Sequence, residues 1–323
     1  MPTNRHRATH SPVWITEVGP RDGLQNESGA VDTESKVAFI NALSRTGVTE
    51  IEAGAFVSPQ AVPQMADTEE VFRKIERRPG VTYSALVPNE RGLARALTAA
   101  AQKISVFTAA SDTFTQHNIN ASMEESIRRF SPVVAGAKAA GLAVRAYIST
   151  SVHCPYEGRV EPSRIVEVVD RLTQIGIQEI SLGETIGKAA PNDVRRLLDA
   201  VLRSTESAHL SLHFHDTYGM AVANALMAWE EYGIERFDSS AGGLGGCPYA
   251  PGASGNVATE DLVYALKASG ARVEVDEEKV VEAARGISRV LKHPLSSRLS
   301  RALKDHPDDR EWHSMRTSSD YDQ

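Results

Sequence analysis

The chain has 323 residues, of which 41% are hydrophobic and 24% are charged, as is ordinary for a globular protein. Its net charge of −7 argues against nucleic acid as a partner, because phosphate binding needs a basic surface. Apolar runs stay short of the roughly 18 residues of a membrane span, and two cysteines cannot build a disulfide framework. The polar leader, residues 1–12, lacks the apolar segment of a secretory signal. We therefore expect a cytoplasmic protein with neither nucleic acid nor membrane as a partner.

Strand and helix patterns alternate along most of the chain. Short apolar runs rich in β-branched residues predict strands at 13–18, 50–56, 82–87, 103–107, 142–148, 178–182, 210–215 and 235–239. Helical periodicity predicts helices at 33–46, 68–77, 90–101, 123–140, 162–176, 191–203, 220–232 and 260–267. Eight strand–helix units spaced by about 30 residues predict an α/β fold, the (β/α)8 TIM barrel. No G-x-G-x-x-G motif follows the first strand, which counts against an open dinucleotide-binding sheet.

A single catalytic domain, residues 13–292, is predicted to hold the barrel and one extra C-terminal helix at 276–291. Within it, residues 111–122 and the glycine-rich stretch 242–255 are predicted as loops. Residues 293–323 are rich in serine, arginine, aspartate and histidine, which predicts a largely disordered tail.

His213 and His215 stand two positions apart in the seventh predicted strand, so both imidazoles should face the same side. An isolated His-x-His pair is more often two separate core histidines than a metal site. In a TIM barrel, however, polar groups at the carboxyl ends of strands form the active site. This position favours the metal-binding interpretation.

Polar side chains also stand in or after predicted strands one, two, four, five, six, seven and eight. They are Arg21, Asp22 and Gln25, then Glu52, His117 and Asn118, residues 149–153, Ser181, Glu184 and Thr185, Asp216, and finally Cys247 and Asn256. Among these groups, Asp22, His213, His215 and Asn256 form a mixed nitrogen and oxygen set. Such a set suits Mg²⁺ or Mn²⁺ better than zinc, which prefers a tetrahedral site richer in nitrogen or sulfur.

Three further residues have patterns that indicate chemistry. Glu52 lies in an otherwise apolar strand and needs a partner, for which Arg21 is the candidate. Arg21 could instead form a surface pair with Asp22, but a turn at the catalytic face favours a functional role. Cys247 could be an inert buried residue, yet four glycines precede it and predict a mobile lid that delivers a thiol. Together the residues predict a metal-dependent lyase or aldolase of a small oxygenated acid.

Several segments resemble the 3-hydroxy-3-methylglutaryl-CoA (HMG-CoA) lyase family. They are 17–27 (EVGPRDGLQNE), 56–59 (FVSP), 118–120 (NIN), 154–158 (CPYEG), 213–219 (HFHDTYG) and 240–256 (SAGGLGGCPYAPGASGN). The similarity runs from about residue 16 to 291. The turn that holds Arg21 and Asp22 also resembles isopropylmalate and homocitrate synthases. The segment 240–256, which holds Cys247, resembles only the lyases among these families.

The resemblance implies a retro-Claisen cleavage of HMG-CoA to acetyl-CoA and acetoacetate, as in leucine degradation and ketone-body metabolism. It implies a metal, Mg²⁺ or Mn²⁺, on Asp22, His213, His215 and Asn256. Asp22 or His213 would then take the hydroxyl proton. Arg21, held by Glu52, would stabilise the enolate, and Cys247 would help protonate the enol and close the site. The acyl-CoA contacts would come from Arg21, Gln25, Asn118, Ser181, Glu184 and Thr185. A homodimer is compatible with such a barrel.

Two residues depart from the family pattern. The family usually has aspartate where Glu184 stands and often serine where Ala55 stands. Because an offset near 1 Å matters in an active site, we hypothesise that both changes adapt the site to a longer or branched substituent at C3. Neutral variation is the alternative. A Claisen or aldol enzyme acting on a 2-oxo acid, and a scaffold that binds CoA thioesters without catalysis, are further alternatives.

Overall fold

Ten strands occur in the computed structural model, which describes residues 11–246 and 255–303. They are β1 (Trp14–Glu17), β2 (Glu50–Ala55), β3 (Thr82–Leu86), β4 (Lys103–Ala109), β5 (Ala143–Ser149), β6 (His153–Cys154), β7 (Gly158–Arg159), β8 (Glu179–Glu184), β9 (Leu210–Phe214) and β10 (Arg236–Ser239). Eight of them close into a parallel barrel in the order β1-β2-β3-β4-β5-β8-β9-β10, while β6 and β7 form a separate antiparallel pair. The predicted (β/α)8 barrel is confirmed.

Helices follow every barrel strand. They are α1 (Thr33–Leu43), α2 (Thr68–Lys74), α3 (Glu90–Thr98), α4 (Asp112–Ile119), α5 (Met123–Ala139), α6 (Pro162–Gln174), α7 (Pro191–Val201), α8 (Ala221–Tyr232), α9 (Thr259–Ala268), α10 (Glu277–Leu291) and α11 (Arg298–Ala302). Several helices begin at a side chain that accepts a hydrogen bond from the backbone N–H three residues later. Asp32 caps α1 in this way, and Asn89 caps α3. No helix within the described ranges is long and apolar enough to cross a membrane.

The structure departs from the sequence prediction at three places. Residues predicted as the loop 111–122 contain α4, because Ser111 caps its first turn and Phe114 is buried. The β6–β7 pair was not predicted, since strands of two residues leave no periodicity to detect. In the predicted tail, α11 forms because Ser297 caps it. Residues 304–323 and the leader residues 1–10 lie outside the described ranges.

The apolar core fills the layer between the barrel and the helices, whereas the barrel interior is charged. Lys103 on β4 binds Glu50 and Glu179, each at 2.7 Å. Arg145 on β5 lies 3.3 Å from Glu179 and binds Asp238 on β10. Buried charges need close partners of opposite sign. These ion pairs therefore close the barrel beneath the polar groups at its carboxyl end.

Candidate active site

Asp22, His213 and His215 meet at the carboxyl end of the barrel. Asp22 lies in a single π-helical turn, Gly19–Gly23, that follows β1. The histidines stand at the end of β9, and their ring centroids are 5.3 Å apart. One ligand atom from each of the three residues lies within 4.8 Å of the other two. The predicted convergence of these side chains is confirmed.

Asn256 completes this cluster. It forms an isolated β-bridge with His215, and its Nδ2 donates to Asp22 Oδ2 at 2.9 Å and to the Leu244 carbonyl at 3.1 Å. Asn256 Oδ1 and His215 Nδ1 are buried and have no hydrogen-bond partner. Buried polar atoms without partners need an explanation. A carboxylate, two imidazoles and an amide oxygen fit Mg²⁺ or Mn²⁺, which would satisfy such atoms.

The protonation states also suit a cation. Burial alone would raise the pKa of the Asp22 carboxyl, but Arg21, His213 and His215 outweigh this effect and hold the pKa well below its usual range. Burial, together with the neighbouring His213, lowers the pKa of His215 to about 4. At neutral pH the cluster therefore offers a carboxylate and a neutral imidazole, the forms that bind metals.

Arg21 is fixed beside the cluster by two carboxylates. Its Nε donates to Glu52 Oε2 at 2.5 Å and its Nη1 donates to Asp22 Oδ1 at 2.6 Å. Glu52 is only 1% exposed and also accepts a hydrogen bond from Ser105. The predicted partnership of Arg21 and Glu52 is confirmed, and it leaves a buried cation at the mouth of the barrel.

Sequence reasoning missed three residues beneath the site. The Tyr147 ring lies between two guanidinium groups, with Arg21 at 5.3 Å and Arg145 at 5.1 Å from its centroid. Asp238 binds Arg145 and accepts from Ser181 Oγ at 2.7 Å. For Arg145 the available signal was the same one that identified Glu52, namely a charged residue inside an apolar strand. Tyr147 is uncharged and Asp238 lies in a polar strand, so neither gave this signal.

Three of the residues predicted to contact the substrate, Ser181, Glu184 and Thr185, differ in whether their side chains already have hydrogen-bond partners. Ser181 is fully buried and committed to Asp238, and Thr185 Oγ1 accepts from the Thr150 N–H at 2.8 Å. Glu184 is 2% exposed, and its Oε1 has no hydrogen-bond partner. His153 Nδ1 lies 3.7 Å from Glu184 Oε1 and also has no hydrogen-bond partner. Glu184 is thus the polar side chain of this group that remains available for a ligand.

The remaining candidates lie farther from the cluster or outside the described residues. Gln25 is half-buried after the π-helical turn, and Asn118 is exposed on α4. Ala55 is completely buried, and its backbone N–H and carbonyl both bind the Thr68 hydroxyl of α2. Its position gives no support to the hypothesis that it borders the acyl pocket. Cys247 lies outside the described residues.

The stem that leads to Cys247 is held by two buried glutamates. Glu17 Oε1 accepts from the Ala241 N–H at 3.0 Å, and Glu260 Oε2 accepts from the Gly242 N–H at 2.9 Å. Gly242 has φ +72°, and a Cβ there would approach Leu295 Cδ1 to 2.3 Å, so glycine is required. Burial raises the pKa of Glu17 to about 7, although three hydrogen bonds oppose the shift.

The fold and the site define a class: a TIM barrel whose mouth carries a candidate divalent-cation site next to a buried arginine. Residues 12–287 match the model of the HMGL-like family, and the chain belongs to this family. It is 48% identical over 290 residues to the mitochondrial hydroxymethylglutaryl-CoA lyase of Macaca fascicularis, covering 90% of this chain and 89% of the relative. It is also 48% identical over 290 residues to the cytoplasmic 3-hydroxy-3-methylglutaryl-CoA lyase of Rattus norvegicus, covering 90% of this chain and 84% of that relative.

Solved structures give the same relationship. The HMG-CoA lyase of Bacillus subtilis has a TM-score of 0.89 and 47% identity, with 91% of this chain and 98% of that chain covered. The HMG-CoA lyase of Acinetobacter baumannii, in complex with coenzyme A and 3-methylmalate, has a TM-score of 0.87 and 37% identity, with 92% and 98% covered. These relatives are lyases, which favours a lyase over an enzyme that acts on a 2-oxo acid.

Proposed function

We propose that this protein cleaves HMG-CoA to acetyl-CoA and acetoacetate, with Mg²⁺ or Mn²⁺ held by Asp22, His213, His215 and Asn256. The observation that carries the proposal is the convergence of the three ligand atoms within 4.8 Å, next to Arg21, in a chain 48% identical to named HMG-CoA lyases. The acyl-CoA class of substrate is further supported by the coenzyme A complex of a relative.

The first chemical requirement is a base for the hydroxyl group of the substrate. A bound divalent cation polarises substrate oxygens and makes that hydroxyl more acidic. Asp22 is a weak base because its pKa is well below the usual range. His213 is the second candidate for this base, and it would accept the proton only in the state in which Nε2 is not bound to the cation. As the proton leaves, the oxygen's electron pair forms the ketone of acetoacetate, and the C–C bonding pair passes to the departing acetyl-CoA enolate.

The second requirement is stabilisation of that enolate. Arg21 is held in place by Glu52 and Asp22 before any substrate binds, so its charge needs little reorganisation during the reaction. The enolate must then be protonated at carbon. We assign to Cys247 the role of helping to protonate the enolate. The segment around Cys247 resembles the family's cysteine segment, and the stem before it is anchored at Ala241 and Gly242.

A related substrate is the second candidate. The unpartnered Oε1 of Glu184, 3.7 Å from His153 Nδ1, supports a contact with a different acyl group, such as a longer or branched 3-hydroxy-3-alkylglutaryl-CoA. A cytoplasmic location, a role in leucine degradation or ketone-body metabolism, a homodimer and the boundaries of the domain remain predictions from the sequence. Relatives carry both mitochondrial and cytoplasmic names.

A thioester panel tests the proposed function. We expect HMG-CoA to yield equal amounts of acetyl-CoA and acetoacetate with Mg²⁺ or Mn²⁺. If no thioester in the panel releases acetyl-CoA, the lyase proposal is wrong. Glu184→Asp should shift the preference between the methyl compound and its longer analogues. Wild-type activity confined to the methyl compound, with an unchanged preference in Glu184→Asp, would exclude a specificity role for this residue.

A further inference from the structure

The two ring nitrogens of His213 face two different carboxylates. Nε2 lies 4.0 Å from Asp22 Oδ2, on the side of the metal cluster. Nδ1 is buried and forms no hydrogen bond, and Asp238 Oδ2 lies 3.4 Å from it. His213 and Asp238 are also paired in register on the neighbouring strands β9 and β10. Since both side chains point into the barrel, the carboxylate stands directly behind the imidazole.

Asp238 is itself held rigidly. Its side chain is completely buried. Oδ2 accepts from Ser181 Oγ at 2.7 Å, Oδ1 binds Arg145 Nη2, and Arg145 Nη1 donates to Thr16 Oγ1 at 3.2 Å. The carboxylate therefore has contacts with β5 and β8 that set its orientation, and Arg145 is itself fixed by Thr16 on β1. A group fixed in this way can orient the ring that it contacts.

We infer that Asp238 is a positioning residue for the metal site: its negative charge, 3.4 Å from Nδ1, favours the tautomer of His213 that carries its proton on Nδ1 and so turns the lone pair of Nε2 toward Asp22 and the cation. A carboxylate behind a metal-binding histidine fixes the ring's tautomer and raises its affinity for the metal. The inference rests on the cation site of the proposed function and is independent of the thioester that the enzyme cleaves.

The test measures Mn²⁺ affinity by electron paramagnetic resonance with the full-length protein. Asp238→Asn should weaken Mn²⁺ binding by about 10- to 100-fold, because the isosteric amide removes the charge behind His213 and leaves only one oxygen acceptor in place of two. Glu179→Gln is the matched control. It also removes a carboxylate from Arg145, but His213 does not contact it, so affinity should stay within about threefold of wild type.

A double-mutant cycle then distinguishes an effect of Asp238 that acts through His213 from a general effect of its negative charge on Mn²⁺ affinity. If Asp238 acts through His213, Asp238→Asn should cost little additional affinity in a His213→Ala background. Equal losses in Asp238→Asn and Glu179→Gln would overturn the inference, as would a full additional loss in the His213→Ala background or unchanged affinity in Asp238→Asn.

A second variant covers the case in which Asp238→Asn does not fold. Ser181→Ala keeps the charge of Asp238 and removes only one orienting hydrogen bond. It should weaken Mn²⁺ binding by a few fold, and unchanged affinity would count against the inference. Because no thioester is present in these measurements, a failure of HMG-CoA cleavage would leave this test intact.

Discussion

At the scale of single residues, the decisive feature is how Arg21 is held. Its Nε and Nη1 bind two different carboxylates, and its guanidinium lies over the Tyr147 ring. A planar group with several donors can make these contacts at once, whereas a lysine ammonium is a point charge on a flexible stem. The role proposed for Arg21 therefore depends on its shape as well as on its charge.

We expect Arg21→Lys to lower kcat by about 100- to 1,000-fold, because the charge is no longer fixed where the enolate forms. Mn²⁺ affinity should change far less, because the charge beside Asp22 is retained. Steady-state kinetics and metal titration of the same sample check both points. Arg95→Lys is a matched control: Arg95 also pairs with a glutamate, Glu69, and lies 5.6 Å from an aromatic ring. A wild-type kcat in Arg21→Lys would contradict the assigned role.

At the scale of elements, the strand-end segments bring the site together through long-range hydrogen bonds. The stem after β10 is bound by Glu17 from β1 and Glu260 from α9, which are separated from it by 224 and 18 residues. Neither partner is visible in a local sequence window. The glycine-rich composition predicts a loop there, but its attachment depends on the closed barrel.

Glu17 predicts a pH effect on stability. Its pKa is about 7 in the fold against an ordinary 4.5, so the native state binds more protons between these values and stability falls as pH rises through this window. The Glu17→Gln variant has no carboxyl group at this position, so its stability does not fall in this way as the pH rises. From pH 5 to pH 8 its free energy of unfolding should gain about 2–3 kcal/mol relative to wild type.

Denaturant unfolding at several pH values measures this difference. The exposed Glu90→Gln on α3 should follow the wild-type curve. If Glu17→Gln and wild type keep a constant separation from pH 5 to pH 8, the explanation by burial fails.

The proton-donor role proposed for Cys247 predicts an effect on the reaction rate when its thiol is removed. Cys247→Ala should lower kcat by at least about tenfold, since it removes a proton donor, while Mn²⁺ affinity remains near that of wild type. Cys154→Ala is the control, because the Cys154 thiol is buried and lies 3.1 Å from Ser111 Oγ. It should cost some stability but little activity. Equal kcat values for Cys247→Ala and wild type would remove the thiol from the reaction.

At the scale of the whole molecule, the charge within the barrel matches a divalent cation. The described ion pairs here join three cations to five carboxylates: Arg21, Lys103 and Arg145, with Asp22, Glu50, Glu52, Glu179 and Asp238. The formal sum is −2, which one Mg²⁺ or Mn²⁺ would neutralise. Since unbalanced buried charge is costly, the members of this network next to the candidate site, such as Asp22, favour such an ion.

The sequence predicts the barrel and the shared face of His213 and His215 because both depend on local regularity. Strand periodicity and the spacing of His213 and His215 survive in any window of the chain. The roles of Asp238 and Glu184 do not, because they depend on which strands become neighbours and on what lies behind them. The helix α4 was missed for a similar reason, since Phe114 is its one large buried apolar side chain, with only Thr115 buried beside it in a polar segment.

The most direct measurement is product formation from HMG-CoA by the chelator-treated protein, before and after stoichiometric Mg²⁺ or Mn²⁺ is added. We expect no acetoacetate before addition, recovery of equal acetyl-CoA and acetoacetate afterwards, and no recovery in Asp22→Asn, which keeps the size of the ligand and removes its charge. Equal cleavage with and without metal would contradict the proposed site.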